Sequence, residues 1–110
     1  MLRGRARRKE SAPVFAALGS ATRLELLSRL SDGRDYSITE LTDGLDLTRQ
    51  AITKHLQVLQ LAGIVKSRRV GRESRFTIRP DPVIQAKDYL TRVADQWDQS
   101  IARLRATVER

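Results

Sequence analysis

Residues 48–63, TRQAITKHLQVLQLAG, place Arg49, Gln50, Thr53, Lys54 and Gln57 close together. These are the side chains that read base edges. Arg and Lys bond guanine O6 and N7, Gln pairs with adenine, and Thr meets a polar edge or a thymine methyl group. Ile52, Leu56 and Leu59 recur at helical spacing, and an inward stripe at those positions fixes the helix rotation. The polar set must then face outward, at the end where free backbone amides and the helix dipole favour anions. A merely solvated helix face would mix signs, whereas no acidic residue occurs between 47 and 72. The chemistry implied is major-groove reading of a duplex, with Thr48 at the helix start as both cap and neighbour of the site.

A second basic cluster follows. Lys66, Arg68, Arg69, Arg72, Arg75 and Arg79 face Glu73 alone over residues 64–79. Like-charge repulsion in so short a stretch is a cost that an adjacent polyanion relieves. Phosphate contact by Arg68, Arg69 and Arg75, with phosphate contact or minor-groove insertion at Arg72 near a turn tip, is the expected role. The alternative is a solvated cationic hairpin. His55 falls three residues after Ile52 and four before Leu59, which makes it a packed, hydrogen-bonded histidine, with phosphate contact as the second reading. As the sole histidine it offers no metal site. Asp95 and Asp98, three apart, could share a cation, but off the apolar seam they read with Asp88 as solvated acids.

These residues need elements to hold them. APVFAALG offers a short helix with Phe15 and Leu18 three apart, closed by Gly19. Ser20 suits an N-cap for ATRLELLSRL, whose Leu24, Leu27 and Leu30 form an expected inward stripe. SITE at 37–40 has the form of a capping box, and Gly44 stops the helix it opens. Short helix, tight turn and longer helix from Ser37 to Ala62 make a helix-turn-helix. IVKSRRV and SRFTI, joined across GRE, read as a β-hairpin with Phe76 and Ile78 on its buried face.

Beyond PDP, with Asp81 as N-cap and Pro82 in the first turn, Val83, Ala86, Leu90, Val93, Trp97, Ile101, Leu104 and Val108 recur at intervals of three and four. That near-heptad seam, on a helix of about 27 residues and roughly 40 Å, needs a second surface. A second copy of the chain is the simplest one. Phe15, Leu18, Ala86, Leu90, Val93, Trp97, Ile101 and Leu104 are the expected dimer contacts, Trp97 being an interface anchor in preference to a ligand-stacking platform.

The expected fold is thus mainly α with a small β-hairpin, in the order α-α-α-α-β-β-α. Residues 1–10 form a basic mobile arm, 11–80 a winged helix-turn-helix unit, and 81–110 a terminal dimerisation helix. The arm, MLRGRARRKE, follows a DNA backbone, enters a minor groove, or is a disordered solubilising tail.

Length and charge agree with one small domain directed at a polyanion. The chain has 110 residues and a formal net charge of +8, and residues 49–79 hold eight basic side chains against one acidic. Absence of cysteine excludes disulfides, thiol sensing and thiolate metal sites. No apolar run approaches the roughly 18 residues of a membrane span. The N-terminal residues imitate a signal peptide, but their apolar patch flows into the amphipathic TRLELLSRL, so a cytoplasmic protein is expected. No catalytic triad, glycine-rich phosphate loop, zinc spacing or carboxylate pair in a cleft is present, and no enzyme is expected.

SITELTDGLDLTRQAITKHLQVLQLAGIVKSRRVGRESRFTI resembles the helix-turn-helix and wing of the ArsR family of bacterial transcriptional repressors. FAALGSATRLELLSRL resembles the two helices that precede them in that family. The resemblance covers roughly residues 14–80 and implies a winged-helix homodimer, joined through its outer helices, that represses transcription and releases DNA when an effector binds. Many relatives sense metals through cysteines at positions that here are Ser37 and Thr39, and others use histidine and acidic ligands on the terminal helix, where this chain has no histidine. The resemblance thus points to a member without a metal site or cofactor, with double-stranded DNA and its own copy as partners and an unidentified small-molecule effector. A non-specific nucleoid or RNA-associated winged-helix protein is the alternative.

Overall fold

Side-chain caps set where the helices of this chain begin. In the computed structural model, which describes residues 2–109, the Ser20 hydroxyl accepts from the Arg23 amide at the start of α2 (Ala21–Arg29). Ser37 and Glu40 close the expected capping box on α3 (Ile38–Thr42), each side chain accepting the other's backbone N–H. Thr48 Oγ1 accepts from the Ala51 amide 3.0 Å away and opens α4 (Arg49–Leu61). Between α3 and α4 the chain reverses at Gly44, whose φ of 76° is open to glycine and strained for other residues.

Among the described residues the order is α1 (Leu2–Leu18), α2, β1 (Tyr36–Ser37), α3, α4, β2 (Val65–Val70), β3 (Glu73–Ile78) and α5 (Asp81–Val108). The strands form one antiparallel sheet in the order β1-β3-β2. Gly71, at φ 63°, and Arg72, which does not have positive φ, make the two-residue turn of the β2–β3 hairpin, the pattern of a type II′ turn.

The core gathers Leu26 of α2 and Leu30 at its C-cap, Leu41 of α3, and Ile52, Leu56 and Leu59 of α4. Val14 and Ala17 of α1, Ile64, Val65, Phe76 and Ala86 complete it. The mainly helical fold with its small antiparallel sheet is therefore the expected one, with α4 rotated as its apolar spacing requires.

Four local expectations are corrected. Leu24 is half exposed and Leu26 is fully buried in its place; α2 is rotated by its packing on α4, where Leu26 and Leu30, one helical turn apart, share the inner face. The leader, expected to lack a regular element, is helical: α1 runs through it from Leu2, a stretch rich in Arg, Lys, Ala and Glu that tolerates Gly4. Met1 lies outside the described residues. Pro13 sits inside this helix, where it removes one hydrogen bond, but Ser11, Val14 and Ala17 are buried on a stripe that packs mainly on α5. Asp81 is not the cap of α5; Pro80 occupies that position without a side-chain bond, and Asp81 lies in the first turn. Strand β1 adds a third member to the sheet, its two residues pairing Tyr36 with Phe76 and Ser37 with Arg75.

Candidate nucleic-acid interface

The burial of Ile52, Leu56 and Leu59 turns the opposite side of α4 to solvent. Arg49, Gln50, Lys54 and Gln57 are exposed and Thr53 is half-buried, and together with Ile38 they line one shallow concavity. The Thr53 hydroxyl donates to the Arg49 carbonyl at 2.7 Å, which leaves its oxygen free to act only as an acceptor. Thr48 is exposed at the N-terminal rim.

The hairpin register sorts the wing cations into two groups. Arg69 pairs with Ser74 and Ser67 with Phe76, which puts them on the side turned toward the helices, and Gln60 of α4 donates to the Ser67 hydroxyl at 3.2 Å. Arg69 and the turn residue Arg72 share a cleft with Ser37, Thr39, Ser74 and Arg49. Glu73 lines this cleft too, and Arg49 and Ile38 line both it and the α4 concavity, so the helix face and the wing tip form one continuous surface on which Arg49, Lys54, Arg69 and Arg72 outnumber the one acid.

Lys66 and Arg68 lie on the other side of the sheet, opposite Thr77 and Arg75. Like charges directly opposed across strands repel. Asp35 resolves the conflict: its Oδ2 accepts from Arg68 Nη2 at 3.0 Å and its Oδ1 from Arg75 Nε at 3.1 Å. Hydrogen bonds from Arg68 and then Arg75 hold the Asp35 carboxyl below the usual carboxylate range. Arg68 remains largely exposed, whereas the Arg75 side chain is 23% exposed and tied further to Glu73, Glu40 and the Asp35 carbonyl. The guanidinium of Arg75, expected to contact phosphate, is thus engaged by acceptors inside the chain, and Asp35 raises its proton affinity.

Residues that spacing alone did not single out support this surface. Arg29, the last residue of α2, donates to the Leu41 and Asp43 carbonyls at the end of α3. Arg23 donates to the Ala17 carbonyl and to His55 Nδ1, 3.1 Å away, fixing α2 against α4. Because a guanidinium only donates, Nδ1 is the acceptor and the imidazole N–H resides on Nε2. His55 is thus the packed, hydrogen-bonded histidine expected. Ser37 serves as the α3 cap.

On α5, Trp97, Ile101, Leu104 and Val108 are exposed to between 46% and 83%, and Leu90 to 51%, an apolar seam left uncovered among the described residues. Phe15, Leu18, Val83 and Leu90 line an apolar groove between α1 and α5. Ala86 departs from the expected interface set: it is 2% exposed, buried against the chain's own core. Val93 is half-buried.

A family model described as a helix-turn-helix domain matches residues 18–68. HTH-type transcriptional regulator YuzN of Bacillus subtilis is 40% identical over 76 residues, covering 64% of this chain and 83% of that protein. The solved structure of an ArsR-like transcriptional regulator from Rhodococcus sp. RHA1 is 38% identical, with a TM-score of 0.75 and coverage of 90% of this chain and 92% of that one. The chain belongs to the ArsR family of winged helix-turn-helix regulators. Another relative, HTH-type transcriptional regulator MJ1325 of Methanocaldococcus jannaschii, is 33% identical over 68% of this chain and 84% of its own length. This ArsR-family protein is accordingly a DNA-binding transcriptional regulator and not an enzyme. Its α4 is the second helix of the helix-turn-helix and its β2–β3 hairpin the wing. Among the described residues no helix is long and apolar enough to cross a membrane.

Proposed function

We propose that this ArsR-family regulator is a sequence-specific repressor that binds operator DNA as a homodimer in the cytoplasm. Residues 11–80 form the DNA-reading unit and 81–110 the dimerisation helix. Arg49, Gln50, Thr53, Lys54 and Gln57 read base edges in the major groove, with Thr48 at the rim. Arg69 and Arg72 hold the backbone or the adjacent minor groove, and Arg68 contributes from the wing's outer face. The α5 seam and the groove beside α1 join two copies, setting recognition helices about 34 Å apart on a roughly palindromic site. A small-molecule effector relieves repression.

The observation that carries this reading is the continuity of the basic surface through Arg49, which links the outward face of α4 to the wing-tip cleft. The test is titration of a labelled duplex from the protein's own upstream region, beside a scrambled duplex, at several salt concentrations. Specific repression predicts tight binding to the first alone and a log–log salt slope of several units. Equal affinity for both duplexes identifies a non-specific nucleoid or RNA-associated protein instead.

A further inference from the structure

The wing is a two-residue turn on a short hairpin, and its tip can grip DNA beside α4 only if the sheet is held at a fixed angle to the helix-turn-helix. The backbone supplies part of that restraint through the pairing of β1 with β3, which is two residues long. Val65 and Phe76 anchor the sheet in the core and Gln60 bonds Ser67, while the polar ties to the start of α3 converge on one side chain. Arg75 of β3 reaches Glu40 in the first turn of α3 through Nη2 at 3.0 Å, and the carboxylate and carbonyl of Asp35, just ahead of β1, through Nε and Nη2. Glu40 Oε1 also accepts from the Ser37 amide at 2.9 Å, so the atom that caps α3 is the atom that holds the wing arginine. Guanidinium geometry suits this role, since a planar fork can engage several acceptors at once and a lysine ammonium cannot match it.

We infer that Arg75 is a positioning residue for DNA binding: with Asp35 and Glu40 it tethers the wing to the start of α3 and so fixes Arg69 and Arg72 relative to Arg49. The inference rests on the proposed DNA-reading surface. It assigns to two acids a favourable role in binding a polyanion, which makes its sign distinctive. Were Arg75 a phosphate contact, Asp35 and Glu40 would merely compete for it, and neutralising either would tighten DNA binding.

The test uses Asp35→Asn and Glu40→Gln in the full chain. Glutamine keeps an Oε1 acceptor for the Ser37 amide, so Glu40→Gln spares the capping box and removes the charge that strengthens the bond to Arg75. Each variant is expected to remain folded at the assay temperature and to bind operator about threefold to tenfold more weakly, although each removes a negative charge from the protein. In the Glu40→Gln background the loss caused by Arg72→Ala should shrink, because a misplaced wing tip has less to lose. Unchanged or tighter binding, or a full Arg72→Ala penalty in that background, overturns the inference.

A DNA-free measurement judges the tether by itself. The chain has no cysteine, so spin labels at Gln57→Cys and Arg72→Cys, in protein diluted with an excess of unlabelled chain so that each dimer carries one labelled protomer, report the distance between α4 and the wing tip. Glu40→Gln should broaden that distance distribution, and an equally narrow one refutes the tether. If the parent protein binds no duplex while the distribution broadens, the DNA reading fails and the tether stands.

Discussion

Trp97 offers the sharpest prediction about assembly. Its indole is 66% exposed on the seam of a 28-residue helix, and replacing it by glutamate leaves the buried core of the protomer untouched. A tryptophan carries about 250 Å² at most, so about 160 Å² remains to be covered. At about 25 cal/mol per Å² full coverage by a second copy would contribute about 4 kcal/mol. A helical seam leaves part of the ring in water, so about half of that, about 2 kcal/mol, is a sounder figure. In a two-fold interface each residue occurs twice, giving about 4 kcal/mol per dimer and a roughly thousandfold weaker dimer. Sedimentation equilibrium over a wide concentration range should show a dimer for the parent chain and a monomer for Trp97→Glu, with operator affinity lost in parallel. A variant that sediments as the parent does would refute the seam.

Further outcomes follow from the same geometry. Arg72→Ala should lower the log–log salt slope of DNA binding by about one unit per protomer, whereas Lys66→Ala, on the far side of the sheet, should leave it nearly unchanged. Leu56→Ala removes a fully buried side chain from the centre of α4 and should cost about 2–5 kcal/mol in chemical denaturation. Asp35 and Glu40 are both held below the usual carboxylate range, Asp35 first by Arg68 and Glu40 first by the Ser37 amide. Folded values below unfolded ones mean that their stabilisation is fully present above roughly pH 5 and is lost as pH falls through about 4 and lower. The melting-temperature difference between the parent chain and Asp35→Asn should therefore be larger at pH 7 than at pH 3.

The DNA-reading helix was legible because one apolar stripe fixes its rotation. With Ile52, Leu56 and Leu59 turned inward, the positions of Arg49, Gln50, Lys54 and Gln57 are determined by the 3.6-residue period alone. The caps at Ser20, Ser37 and Thr48 were equally readable, since each depends on residues three apart. Strand β1 was not, because two residues carry no alternation and their strand identity comes entirely from pairing with distant Tyr36–Phe76 and Ser37–Arg75 neighbours. The division of the wing arginines was hidden for the same reason. Period-two alternation separates Arg69 from Arg68, but that Arg75 would be claimed by Asp35 and Glu40 depends on contacts 40 and 35 residues away in sequence. The leader misled in the opposite sense: without apolar periodicity it gave no helical signal, yet propensity and the anchoring of Ser11 and Val14 carry α1 through it.

The central claim is that the outward face of α4 lies against base edges while the wing tip grips the neighbouring backbone. Since the chain contains no cysteine, Gln50→Cys and Lys66→Cys each introduce a single thiol to which a short photo-crosslinker can be attached. With operator duplex present, position 50 should capture bases at the centre of each half-site and position 66 should capture almost none. Equal capture from both positions, or capture from position 66 alone, would contradict the account.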